Sequence, residues 1–105
     1  MPEQTVVIGG GIAGMACAAL LAKSGHTVQL IEKHDDLGGR NRKWIHKGFH
    51  FDMGPSWYWM PDVFERFFQH FGHSHTDFYS LKRLDPSYQV FWDDLAPTPL
   101  PAGIE

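Results

Sequence analysis

Thr5-Val6-Val7-Ile8 is a β-branched run closed by Gly9-Gly10-Gly11, the pattern of a strand buried on both faces that ends in a tight turn. Ile12, Met15, Ala16, Ala19 and Leu20 then recur at helical spacing in an Ala-rich stretch, and Gly25 after Lys23-Ser24 is a stop signal. A second strand pattern, Thr27-Val28-Gln29-Leu30-Ile31, leads to Glu32. Strand, helix and strand in so short a span predict a βαβ unit with parallel strands and a right-handed crossover. The fold class is therefore α/β.

Beyond Glu32 the pattern changes. His34-Asp35-Asp36-Leu37-Gly38-Gly39-Arg40 is loop chemistry, and Trp44-Ile45-His46 and Phe49-His50-Phe51-Asp52 flank Lys47-Gly48 as the arms of a hairpin. Pro61 opens a helix with Val63, Phe64, Phe67, Phe68 and Phe71 on one side and Glu65, Arg66 and Gln69 on the other, closed by Gly72. Phe78 to Leu84 and Tyr88 to Trp92 are strand candidates around the turn Asp85-Pro86-Ser87, and the prolines between Ala96 and Pro101 end regular structure. A doubly wound sheet needs a third parallel strand, which nothing after Glu32 supplies. The expectation is that residues 1–105 are the N-terminal part of a longer domain, stopping at Gly103-Ile104-Glu105 without terminating logic.

At 105 residues the chain suits one domain with one core. Apolar residues at 43% and charged residues at 20% exclude a disordered or low-complexity chain. A formal charge of −3 gives no field to hold a polyanion, so no nucleic acid partner is expected. Val6 to Ala22 carries no charge, but glycines interrupt it and no basic residue precedes it, so it is read as buried strand and helix rather than membrane span or signal. Cys17 alone cannot form an intramolecular disulfide and is expected to be a small buried thiol in a reducing compartment. His70, His73 and His75 lack the cysteine pair or i, i+4 histidine pair of a zinc site and are read as solvated, with no metal. Asp93 and Asp94, adjacent in sequence, are read as a turn rather than a catalytic pair. Trp57-Tyr58-Trp59-Met60 is too dense an apolar run for a short chain to bury, and faces a missing domain, a membrane or an apolar substrate.

Gly9, Gly11 and Gly14 form G-x-G-x-x-G between strand and helix. The first glycine permits the turn, the second lets a pyrophosphate approach the backbone, and the third lets helix and strand pack closely. The helix start at Ile12 and Ala13 offers free N–H groups and a positive dipole end to the phosphates. Glu32, 23 residues after Gly9 and followed by Lys33, is placed to accept hydrogen bonds from the ribose hydroxyls of an adenosine and to repel a 2′-phosphate. Gly38-Gly39-Arg40 separates FAD from NAD: the glycines let the backbone approach a dinucleotide, and Arg40 brings a planar donor for a pyrophosphate, whereas Arg42 and Lys43 are read as solvated.

The run Val7-Ile8-Gly9-Gly10-Gly11-Ile12-Ala13-Gly14, then Glu32, Leu37-Gly38-Gly39-Arg40 and Gly48-Phe49-His50-Phe51-Asp52-Met53-Gly54-Pro55-Ser56, resembles the N-terminus of the FAD-dependent amine oxidase and carotenoid desaturase superfamily. Tyr79-Ser80-Leu81-Lys82-Arg83-Leu84-Asp85-Pro86-Ser87-Tyr88 is similar to the bacterial-type phytoene desaturases. The resemblance implies the βαβ start of a Rossmann-like FAD-binding domain, with the substrate domain and the C-terminal FAD segment absent. It implies FAD as cofactor and Gly54, Pro55 and Ser56 as neighbours of the flavin ring. It implies dehydrogenation of a carotenoid precursor such as phytoene, an apolar polyene, by an enzyme that is cytoplasmic and touches the membrane peripherally. A carotenoid isomerase, an FAD-dependent amine oxidase and a non-catalytic nucleotide-binding module are the alternatives, and no catalytic base is identified.

Overall fold

Thr5, Val7, Val28 and Leu30 point the same way from two neighbouring strands, and a helix lies over them. The strands are β1 (Gln4–Ile8) and β2 (Thr27–Ile31), paired in parallel with Thr5 opposite Val28, Val7 opposite Leu30 and Ile8 opposite Ile31. They are joined by α1 (Ile12–Lys23), which begins directly after Gly11 and is capped at Ser24 before Gly25, at φ +95°, turns the chain into β2. The strand–helix–strand order and the parallel pairing are thus as the pattern predicts. The computed structural model describes residues 3–103; Met1, Pro2, Ile104 and Glu105, and with the last two the chain end, lie outside the described residues.

The strands are not buried on both faces. Half-buried and exposed positions alternate along each, and Val6 and Ile8 are 49% and 85% exposed. The reason is layering: α1 covers the Val7 and Leu30 face, and the described residues supply no second layer. No hydrophobic side chain among the described residues is fully buried, so the single core that the length suggests is not present in them. Cys17, expected to be buried, is exposed, because it shares the outer face of α1 with Ala13 and Leu20. No helix among the described residues is long and apolar enough to cross a membrane.

The chain forms two compact units, Met1–Trp59 and Met60–Glu105. The first also holds a hairpin of β3 (Lys43–His46) and β4 (Phe49–Asp52). Lys47 and Gly48 both have positive φ at its tip, as a two-residue turn matched to strand twist requires. Trp44 lies opposite Phe51 with ring centroids 5.1 Å apart and stacks on His46 at 5.3 Å.

The second unit is organised by α2 (Pro61–Gln69), with Pro61 in its first turn and Gly72 turning the chain beyond it. Phe67 meets Phe71 at 5.2 Å, and Phe68 stacks on Phe78 at 4.9 Å. The strand expected over Phe78 to Leu84 is absent: Phe78 closes a 3₁₀ turn at His75–Asp77 and commits its ring to Phe68, and the following residues are irregular. The other candidate shortens to β5 (Tyr88–Val90) and pairs antiparallel with β6 (Thr98–Leu100), where prolines had been expected to end regular structure. Pro99 is accommodated because a two-stranded sheet consists of edge strands, where a missing N–H can face outward. Asp93 and Asp94 lie in the bend between them.

Candidate functional site

The glycine-rich turn sits where β1 hands over to α1, held by backbone bonds on both sides. Gly9, at φ +105°, donates its N–H to the Ile31 carbonyl at 2.7 Å, which ties the start of the turn to the end of β2. Gly14 lies so close to the Gly9 carbonyl that a Cβ there would overlap it, so the third glycine of the motif is demanded by helix-on-strand packing. Gly11 is different. Its backbone is ordinary (φ −75°, ψ 177°), and a Cβ there would meet only Gly39 Cα, at 4.0 Å. Neither conformation nor internal packing requires glycine at 11; what a Cβ would obstruct is approach to the turn from outside.

That approach leads to the start of α1. Gly11 provides no side-chain cap and the first turn carries no acidic residue, so the N–H groups of Ile12, Ala13 and Gly14 and the positive end of the helix dipole face the turn uncompensated. This donor set, with room in front of Gly11, fits the phosphates of a dinucleotide.

A second glycine-rich segment is docked on the first. Gly38 donates to the Gly10 carbonyl at 2.8 Å and forms a parallel bridge with Gly11, and Gly39 backs onto Gly11, where a Cβ would stand 3.0 Å from the Gly11 Cα. Both glycines have positive φ (+115° and +58°), a conformation that only glycine adopts without strain. Gly54 is pressed against the Arg40 carbonyl and Asn41 so closely that it too excludes a Cβ, and Met53 donates to the Arg42 carbonyl at 3.1 Å. The structure therefore brings Gly9, Gly11, Gly14, Glu32, Gly38, Gly39 and Gly54 into one connected cluster. Ile12, Ala13, Lys33, Arg40, Pro55 and Ser56 lie on its exposed margin.

Glu32 stands between the two segments. One carboxylate oxygen, Oε2, accepts the Gly10 N–H at 2.6 Å, and the other, Oε1, accepts the His34 N–H at 3.0 Å. These backbone donors, Gly10 first, hold its pKa below the usual glutamate value, so the group is an anion at neutral pH. Each oxygen keeps acceptor capacity for a further donor such as a sugar hydroxyl. Reasoning from spacing omitted Gly10 and His34. Three consecutive glycines where the motif asks for two were the available signal for Gly10; nothing in the sequence marks the His34 N–H.

Of the histidines expected to be solvated, His70 and His73 are exposed as expected, whereas His75 is half-buried. His75 Nδ1 meets Glu65 Oε2 at 2.6 Å and His73 Nδ1 meets Asp77 at 3.1 Å, because the 3₁₀ turn folds back onto α2. Among the described residues no group of three or more His, Cys, Asp or Glu is placed to hold a metal ion. Trp57, Trp59 and Met60 are each more than half exposed, and the Trp57 and Trp59 rings lie 6.5 Å apart.

Comparison with known proteins accords with this geometry. Over 92 residues (88% of this chain) the sequence is 54% identical to a carotenoid 3,4-desaturase of Haloarcula japonica and 38% identical to a 4,4'-diapolycopene oxygenase of a Methylomonas species. Over all 105 residues it is 35% identical to a 4,4'-diaponeurosporene oxygenase of Staphylococcus aureus. The aligned regions are 19%, 18% and 21% of those proteins, so the chain spans about a fifth of the length of the curated relatives it matches. These relatives bear out the resemblance to carotenoid-desaturase-type oxidoreductases. The NAD(P)-binding Rossmann-like domain family matches residues 7–73, which take in both glycine segments and Glu32, and the chain belongs to that family.

Proposed function

We propose that this chain holds the adenosine and pyrophosphate parts of FAD in an oxidoreductase of carotenoid biosynthesis, one that dehydrogenates a carotenoid or a precursor such as phytoene. The observation that carries the cofactor reading is the docking of Gly38-Gly39 onto Gly10-Gly11 with Glu32 held between them. A single glycine turn suffices for many nucleotides; a second segment built to come equally close suits an extended dinucleotide. In this reading Gly9, Gly11 and the N–H groups of Ile12, Ala13 and Gly14 receive the pyrophosphate, with Arg40 and Lys33 as cationic neighbours. Glu32 accepts from the adenosine ribose and disfavours a 2′-phosphate. Gly54-Pro55-Ser56, connected to the Arg40 turn, lies beside the flavin ring.

FAD, when bound, supplies the hydride acceptor for removal of hydrogen from an allylic carbon. The chain's own residues bind, orient and exclude water. A polyene carries no charge to grip, so its site must be apolar walls that orient it by shape. The exposed Trp57 and Trp59 beyond Gly54-Pro55-Ser56 suit such a wall. A substrate dissolved in lipid suits an enzyme that is cytoplasmic and touches the membrane peripherally. The oxygenase names of two relatives favour a second reading, oxidation of the polyene by oxygen insertion on the same cofactor fold.

The test is to express the protein from its complete reading frame in a host that accumulates phytoene and to follow pigment by absorbance. New conjugated products without added oxygen atoms support desaturation; oxygenated products support the second reading. Phytoene, its thirty-carbon analogue and partly desaturated carotenoids all left unchanged by FAD-loaded protein with an electron acceptor would remove both, and move isomerase, amine oxidase or a binding module ahead.

A further inference from the structure

We propose that Gly10, which the glycine spacing does not require, is a positioning residue for the adenosine half of the cofactor. The proposal rests on the FAD reading above. Gly10 is the only buried residue among those described, and both of its backbone polar groups are committed. Its N–H fixes Glu32 Oε2 at 2.6 Å, and its carbonyl takes the Gly38 N–H at 2.8 Å. One peptide segment thereby locks the acidic residue to one side of the turn and the double-glycine loop to the other.

Its φ is not positive, so conformation does not demand glycine. Space does. A Cβ at this position would run into the end of the Leu37 side chain and crowd Glu32 Oε2 at 3.1 Å and Glu32 Cβ at 3.2 Å. Leu37 can rotate away, whereas the Glu32 carboxylate cannot move without losing the short Gly10 bond that orients it. A side chain at 10 therefore acts on the nucleotide through Glu32, without itself reaching the ligand.

The experiment uses the protein expressed from its complete reading frame and stripped of flavin. It is titrated with FAD and with the analogue of FAD that lacks the adenosine 2′-hydroxyl, and far-UV circular dichroism verifies the fold. Wild-type protein should prefer FAD. Gly10→Val should weaken FAD roughly tenfold and bring the ratio of the two affinities close to one, the loss expected for a misplaced charged acceptor. Gly10→Ala should lose about threefold, and adding Leu37→Ala should restore little of it, because the crowding of Glu32 by the new methyl group remains. A folded Gly10→Val with the wild-type ratio overturns the proposal. If Gly10→Val does not fold, the Ala pair decides: a loss that persists with Leu37→Ala supports the proposal, and full restoration by Leu37→Ala overturns it, because the clash is then with Leu37 alone. If Glu32→Ala keeps the wild-type ratio, Glu32 does not touch the ribose, and the underlying reading fails together with the proposal.

Discussion

Two carboxylates with depressed pKa values show what separates a candidate ligand site from a structural clamp. Glu65, in the second unit, accepts from Ser74 Oγ, the His75 N–H, His75 Nδ1 and Gln69 Nε2. Three of these four donors converge on one oxygen, and together they hold its pKa down to about 2, the His75 backbone N–H contributing most. Glu32, in the first unit, takes the Gly10 N–H on one oxygen and the His34 N–H on the other, with a lesser contribution from the Lys33 backbone. Glu65 Oε2 is saturated by its own chain, and the residue pins the 3₁₀ turn to α2. Glu32 is oriented but not saturated, and it borders glycines whose missing side chains open the turn to the outside. A lowered pKa marks both; only the remaining acceptor capacity and the open approach mark the site.

The largest effect expected from breaking this contrast is at Gly14. Gly14→Val drives a branched side chain into the Gly9 carbonyl, and overpacking of this kind costs about 1–3 kcal/mol or more. Loss of soluble protein or of bound flavin, followed by flavin absorbance and thermal unfolding, is the expected outcome. Next are the carboxylates themselves. Glu32→Ala should weaken FAD roughly tenfold or more, with some loss of stability from the unpaired Gly10 N–H, whereas Glu65→Ala should lower the unfolding temperature and leave FAD affinity unchanged. Equal effects of the two substitutions on affinity would erase the distinction.

A smaller effect is the pH dependence of the clamp. Because Glu65 titrates lower in the folded protein than in the unfolded chain, it contributes stability above the ordinary glutamate value of 4.5, and this is lost as pH falls toward about 2. Glu65→Gln should flatten the stability profile in that window, measured by denaturant unfolding at a series of pH values. An unchanged profile would mean that other groups carry the acid sensitivity.

The βαβ unit, the hairpin and α2 were legible because each is a local pattern: a β-branched run ending in glycines, a Lys-Gly turn between aromatic arms, a proline opening an amphipathic stretch. Gly9, Gly14, Glu32 and Gly38 were legible as members of the candidate site because their spacing follows from turn geometry and packing. What escaped depends on contacts remote in sequence. Phe78 leaves the strand pattern because Phe68 offers its ring a partner. Thr98–Leu100 becomes a strand despite Pro99 because Tyr88–Val90 pairs with it. Gly10 gains its role from Leu37 and Glu32, residues that the periodicity of the first turn cannot see. Burial was misjudged at Ile8 and Cys17 for a further reason, since patterning reports which face is apolar and not whether anything covers it.

Gly11→Ala tests the central claim most directly, that the turn is shaped for a ligand rather than for the fold. The added methyl group meets no internal neighbour closer than Gly39 Cα at 4.0 Å, and the backbone there suits any residue. The flavin-free protein should therefore unfold at the wild-type temperature while its FAD affinity, measured by fluorescence titration, falls about tenfold or more through the lost close approach of the pyrophosphate. Wild-type affinity for FAD in a normally folded Gly11→Ala protein would contradict the account.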